Sequence, residues 1–295
     1  MDLPAPPAPI VNALSVDVED YYQVQALAGV FPRDAWDGLS SRVEDNTALI
    51  LDILETAGVR GTFFTLGCIA RRHPGLVWRI AAAGHEIASH GLGHRRVDSQ
   101  TPEEFRADIR QAKAILEDCS GQPVRGYRAA TFSVGPHTSW AWPILEEEGH
   151  AYSSSVYPVA RDFYSFPDAP RRPYRPAGTG SLVEIPIATL RLLGRNWPCG
   201  GGGYFRLLPY EVSRRAIAGI NREGAPAVIY IHPWELDPGQ PRPAGVPLKS
   251  RLRHYLNLSR TAGRLSRLAH AFRWDRIDAV FDIAGKPVRP SHAAA

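Results

Sequence analysis

The chain has 295 residues, 44% of them hydrophobic and 22% charged, with a net charge of +4. This balance excludes a disordered or collagen-like polymer, and the length suits one large domain or two small ones. The positive charge is nearly all arginine, since Lys113, Lys249 and Lys286 are the only lysines, and no compact basic run points to nucleic acid.

In chain order, residues 1–9 read as a flexible Pro-rich tail and Ile10 to Val18 as a buried strand that ends in the acidic cluster Asp17-Val18-Glu19-Asp20. Leu49, Ile50, Ile53 and Leu54 share one helical face between Asp45 and Ala57, Gly58 stops that helix, and Val59 to Phe64 is the next strand. A helix over Leu76 to Ala83 ends at Gly84, and the strand His85 to Ser89 delivers His90, with His94 four residues on. Thr101-Pro102-Glu103-Glu104 carries a capping box and opens a helix to Gly121 with a core face of Phe105, Ile109, Ala112 and Leu116. The strand Val124 to Ala130 bears Arg128. It is followed by a helix from Thr138 to Glu148, a strand from Ala151 to Val156, a helix from Pro209 to Glu223, and a strand from Ala227 to Ile231 that runs into His232-Pro233-Trp234-Glu235.

Tyr157 to Gly180 and Asn196 to Phe205 break the alternation and read as long ordered loops over one face. Beyond Pro238 the pattern predicts a basic amphipathic helix over Leu252 to Ala271 and a strand over Ile277 to Ile283. The three widely spaced cysteines argue against a disulfide framework or a thiolate zinc site. No apolar stretch approaches the roughly 18 residues of a membrane span, and the opening residues lack a basic and then an apolar region, so the expected location is cytoplasmic.

Alternating strands and helices imply parallel strands in an α/β sheet or barrel, and Asp17, His90, Arg128 and His232 all fall at the C-terminal ends of separate strands, where such folds build their sites. The residue types suit hydrolysis at one metal ion. His90 and His94 are ligands, the Asp17/Glu19/Asp20 cluster offers a further ligand and a base, and His232 offers an acid. Arg128 can pair with the base carboxylate and orient it. The peptidase pattern His-Glu-x-x-His is absent, because the histidine after His85-Glu86 comes one residue late.

The succession Ser15-Val16-Asp17-Val18-Glu19-Asp20, Gly84-His85-Glu86-Ile87-Ala88-Ser89-His90 with His94, Tyr127-Arg128-Ala129-Ala130-Thr131-Phe132 and Ile231-His232-Pro233-Trp234 resembles the polysaccharide deacetylases of the NodB-homology type over about residues 11 to 240. The Asp-Val-Glu-Asp-Tyr-Tyr opening, the Gly-rich stretch to Arg206 and the His-Pro-Trp-Glu ending further resemble the branch associated with exosortase and exopolysaccharide gene clusters. The resemblance implies a distorted (β/α) barrel with a catalytic domain over 10–240 and a C-terminal extension over 241–295 packed on it. It implies Asp17 as general base, His90 and His94 as ligands of a divalent metal, Zn2+ with Co2+ or Ni2+ as alternatives, and His232 as the acid. Glu19 is the favoured third ligand and Asp20 its alternative, because Val18 stands where the family has a second aspartate.

The family's Pro and Tyr after the arginine are here Ala130 and Thr131-Phe132, and its usual aspartate near the acid is replaced by Ser153-Ser154-Ser155. Tyr21, Tyr22, Trp197, Tyr204, Phe205 and Trp234 are candidate platforms for sugar rings, and the tetraglycine before Tyr204 would let backbone approach a ligand. The expected function is N-deacetylation of an N-acetylated polysaccharide or its precursor in exopolysaccharide biosynthesis. Peripheral association with the inner membrane face or with that machinery is expected through the basic C-terminal helix. The alternatives are a small-molecule amidohydrolase of the same fold and an inactive glycan-binding module.

Overall fold

The computed structural model describes residues 9–160 and 166–283, so most of the expected Pro-rich tail and the end of the C-terminal extension lie outside the described residues. The chain folds as a curled, wholly parallel sheet clothed by helices. In order it runs β1 (Val11–Val18), α1 (Val43–Thr56), β2 (Thr62–Thr65), α2 (Gly67–Arg72), α3 (Pro74–Ala82), β3 (Glu86–Ser89), α4 (Pro102–Ser120), β4 (Gly126–Tyr127), α5 (Ala141–Glu147), β5 (Tyr152–Ser153) and β6 (Val183–Glu184). It continues through β7 (Thr189–Leu192), β8 (Arg195–Pro198), α6 (Gly202–Leu207), α7 (Tyr210–Arg222), β9 (Val228–Ile231), α8 (Leu248–Tyr255), α9 (Leu258–Ala271), β10 (Arg273–Asp275) and α10 (Ile277–Val280).

β1 is the central strand, paired with β2, β9 and β10, and from β2 the sheet continues in sequence order to β6. Its alternation decides what faces where. Leu14, Val16 and Val18 pack outward with Phe63 of β2 and with Ile50, Leu54 and Ile80 of the helix layer, whereas Ala13 joins Phe64, Ala88 and Tyr152 inside the curl. Period two therefore sends Ser15 and Asp17 inward as well. Past β6 the chain crosses to the other free edge, where Ala188 N–H donates to Val228 O (3.0 Å) and Tyr230 N–H donates to Gly200 O (2.7 Å). The sheet is thus a distorted barrel, closed irregularly.

The capping box at Thr101 forms as expected, with Thr101 Oγ1 accepting from Glu104 N–H (3.2 Å), Pro102 in the first turn and Gly121 at φ 66 ending α4. Three expectations are corrected. The segment around Asn196 is strand, because β7 and β8 pair as an antiparallel ribbon, and Gly202–Leu207 is helix. The single helix over Leu252 to Ala271 is two, broken at Asn257, where φ is 56. The cause is Arg206, whose guanidinium takes the carbonyls of Arg253, His254 and Leu256 that would otherwise continue α8. The strand expected over Ile277 to Ile283 lies earlier, at β10, and Ile277–Val280 is helical; a short apolar run carries no period that separates the two. Among the described residues no helix is long and apolar enough to cross a membrane.

Candidate active site

The C-terminal ends of β1, β3, β4 and β9 open into one cavity of about 500 Å³. Asp17, Glu19, His90, His94 and His232 line it, with Thr131, Tyr204 and Trp234. Glu19 follows β1 directly, His90 follows β3, and the turn Gly91-Leu92-Gly93 brings His94 back at φ 55. Gly91 is at φ 79, which suits that reversal. A ligand atom from each of Glu19, His90 and His94 lies within 4.8 Å of the other two, and all three residues are buried.

Several observations fit these three to a cation. His90 Nδ1 donates to Arg128 O (2.8 Å), which leaves Nε2 as a free lone pair. Glu19 Oε2 lies 2.9 Å from His94 Nε2, yet it is buried without a well-directed hydrogen bond. Burial raises the Glu19 carboxyl, but His94, His232 and His90 together hold it well below the usual carboxylate range. Burial pushes His90 down to about 4, so its imidazole is neutral at physiological pH, the form that ligates. A nitrogen-rich N2O set is the donor chemistry of Zn2+, Co2+ and Ni2+.

Asp20, the alternative ligand, is directed elsewhere. Its carboxylate accepts from Tyr21 N–H (3.0 Å), Ser41 Oγ–H (2.7 Å) and Arg42 N–H (2.9 Å), capping the turn after β1.

Asp17 is held by Arg128. The guanidinium is fully buried, donates from Nη1 to Asp17 Oδ1 (2.6 Å) and to Ser15 Oγ (2.8 Å), and is clamped by Ser154 through Nε to its carbonyl (3.0 Å) and Nη2 to its hydroxyl (2.9 Å). Its Cζ stacks 4.0 Å from the Phe64 ring centre. Of Ser153 to Ser155, Ser154 therefore serves the arginine, whereas Ser155 Oγ accepts from Ala129 N–H (2.9 Å) and from Ser153 Oγ–H (2.8 Å). The carboxylate bracing them is Glu184, which accepts from Ser155 N–H (2.8 Å), Val156 N–H (2.9 Å) and Trp142 Nε1–H (2.9 Å). Its distance in sequence hid it, and no signal marked it.

His232 Nε2 lies 3.4 Å from Glu19 Oε1 and 4.0 Å from Asp17 Oδ2, and its ring stacks on Trp234 at 5.1 Å between centroids. Burial opposes its protonation, but Glu19, Glu235 and Asp17 outweigh burial and raise it to about 9. Glu235, three residues on, accepts His232 N–H (3.2 Å) and Arg206 Nε–H (3.2 Å). Buried Arg206 is a partner that sequence reasoning missed.

Beyond Arg128 the backbone enters an unusual turn, with Thr131 at φ 55 and Phe132 at φ 50. A β-branched residue pays for this conformation, and such outliers cluster at functional sites. Thr131 lines the cavity, and among the described residues nothing accepts its N–H.

Of the expected sugar platforms, Tyr204 and Trp234 line the cavity. Tyr21 and Tyr22 do not: they are buried edge-to-face at 5.1 Å in a satellite core with Phe31 and Trp36. Phe205 packs in the main core, and Trp197 lies exposed on β8, away from the cavity lining. The tetraglycine is corrected in part: Gly203 lines the cavity with open space at its Cβ position, but Gly201 and Gly202 do not. A Cβ on Gly202 would collide with the Glu235 carboxylate, and one on Gly201 with Tyr230, so these glycines admit protein groups rather than ligand.

Residues 34–150 match the polysaccharide deacetylase family model, and residues 154–282 match a domain of unknown function, DUF3473. A chitooligosaccharide deacetylase of Rhizobium leguminosarum bv. trifolii is 37% identical over 146 residues, 49% of this chain and 60% of the relative. A peptidoglycan-N-acetylglucosamine deacetylase of Listeria monocytogenes is 35% identical over 85 residues, 29% of this chain and 18% of that protein. The chain therefore spans less than two thirds of either relative. A candidate polysaccharide deacetylase of known structure from Mycobacterium smegmatis superposes with a TM-score of 0.56 over 98% of both chains at 20% identity, which establishes the shared fold.

Proposed function

We propose, from the premise that the chain carries a polysaccharide deacetylase domain, that it hydrolyses acetamido groups of an N-acetylated glycan. The observation that carries this reading is the convergence of Glu19, His90 and His94 with the Asp17–Arg128 pair and His232 on one cavity. A divalent ion held by the triad would supply Lewis acidity toward the amide carbonyl and acidify a water. Asp17, oriented by Arg128, takes the proton of the attacking water. The free N–H of Thr131 hydrogen-bonds the oxygen as it becomes an anion. His232, protonated through its carboxylate neighbours, gives its proton to the departing amine.

A cavity of about 500 Å³ walled by Tyr204 and Trp234 supports a saccharide over a compact small-molecule amide. The names of the relatives support chitooligosaccharide-like or peptidoglycan-like substrates, and the motif resemblance supports an exopolysaccharide or its precursor. Purified protein loaded with Zn2+ or Co2+ should release acetate from N-acetylated oligosaccharides, and Asp17→Asn should abolish release while melting as the wild type does. Full activity in that variant would sink the assignment; sugar binding without acetate release would leave a binding module.

A further inference from the structure

The ribbon β7–β8 stands outside the barrel sheet, and its register pairs Leu190 with Trp197, Arg191 with Asn196, and Leu192 with Arg195. Leu190 at its base packs on the main core. Toward the tip the ribbon does the opposite of what a soluble hairpin does: Leu192 is 51% exposed, Leu193 90% and Trp197 53%. Such hairpins turn most readily through Asn or Gly, which tolerate positive φ. Here Leu193 occupies the left-handed region at φ 51 beside Gly194 at φ 73, so a backbone cost is met to hold a leucine at the apex. Trp197 Nε1–H donates to Leu192 O (3.3 Å), fixing the indole across the ribbon.

The charged residues of the ribbon itself have one sign. Arg191 and Arg195 flank the apolar tip, both exposed, and neither makes an ion pair among the described residues. No acidic residue occurs between Glu184 and Glu211. We propose that this tip is an interfacial anchor for an anionic phospholipid bilayer. Leu192 and Leu193 enter the boundary between headgroups and acyl chains, Trp197 lies at headgroup level, and the two arginines meet lipid phosphates. An exposed apolar tip flanked by two arginines fits a soft anionic surface better than the groove of a partner protein. β8 leads through Cys199 into Gly203 and Tyr204 of the cavity wall, so the anchor and the site share one short segment. The inference does not depend on the deacetylase reading.

The test is flotation of the full-length protein with phosphatidylcholine vesicles made with and without phosphatidylglycerol. The wild type should float only with phosphatidylglycerol and lose binding at high salt. The variant L192S/L193N, whose asparagine suits the turn, should bind at least about tenfold more weakly, given the apolar area withdrawn, and R191E/R195E should also lose binding. Both should melt as the wild type does. Failure of the wild type to float, equal flotation of the variants, or a dimer in light scattering that L193N dissolves would each overturn the proposal. Absence of acetate release from every glycan would count against the deacetylase reading and leave the flotation result standing.

Discussion

Glu235→Gln is the perturbation that most directly probes how the candidate acid is held. Both carboxylate oxygens face donors, Oε1 receiving Arg206 Nε–H and Oε2 receiving the His232 backbone N–H, each at 3.2 Å. A glutamine must set its NH2 against one of them, so one hydrogen bond becomes a donor–donor clash whichever way the amide turns. The negative charge that balances Arg206 is lost too, and both residues are at most 2% exposed. Breaking a buried pair typically costs about 3–5 kcal/mol. The backbone carbonyls that Arg206 also engages should keep the loss near the lower end, or roughly 5–10 °C in melting temperature for a chain of this size. Removing one of the three carboxylates that raise His232 also makes it a stronger acid, so the alkaline limb of the pH–rate profile should move to lower pH. Differential scanning calorimetry and acetate release across pH read the two effects, and adding Arg206→Met should recover part of the stability by removing the orphaned cation. A Glu235→Gln protein with wild-type melting and an unmoved alkaline limb would refute the claim that Glu235 holds both Arg206 and His232.

Glu19→Gln should lower Zn2+ affinity by more than about a hundredfold, measured by competition with a chelating dye. Asp20→Asn should leave that affinity intact and cost about 1 kcal/mol of stability as a weakened cap; the reverse pattern would make Asp20 the ligand. His150, buried away from the cavity, is pushed down to about 3 by burial first and Lys113 second. A depressed histidine contributes stability that is present above its unfolded value of 6.5 and is lost as pH falls toward its folded value. From about pH 8 to about pH 5 that loss is ~2 kcal/mol, so urea titrations of His150→Phe should show an acid sensitivity smaller by this amount. An identical pH slope in wild type and variant would contradict it.

The barrel was legible because each strand that carries chemistry is short, apolar and followed by its polar residue. Asp17, His90, Arg128 and His232 could be placed at strand ends by alternation alone. Glu19 and Asp20 could not be separated in that way, since adjacent residues after a strand differ only in which way the turn sends them. Ser41 Oγ–H and the Arg42 N–H claim Asp20, and both lie about twenty residues away in the chain, beyond any local signal. Tyr21 and Tyr22 failed as platforms for a related reason: aromatic residues beside a site and aromatic residues in a core have the same composition. The break at Asn257 depends on a guanidinium some fifty residues upstream, which helical periodicity does not register.

The departures from the family pattern are better understood as relocations of charge than as losses. Three serines stand where the resemblance leads one to expect an aspartate, yet two buried glutamates flank the site. Glu184 braces the serine strand whose Ser154 clamps Arg128, and Glu235 braces His232 against Arg206. The first fixes the arm that holds Asp17, and the second fixes His232. Glu235 approaches so closely that Gly202 has no room for a side chain, so part of the glycine run is a consequence of this bracing. Arg206 then ties α8 and Asn257 to the same carboxylate. The segment beyond residue 154 therefore completes the cavity begun by residues 11–150, because without it Asp17, His90 and His94 would face a cavity that lacks His232.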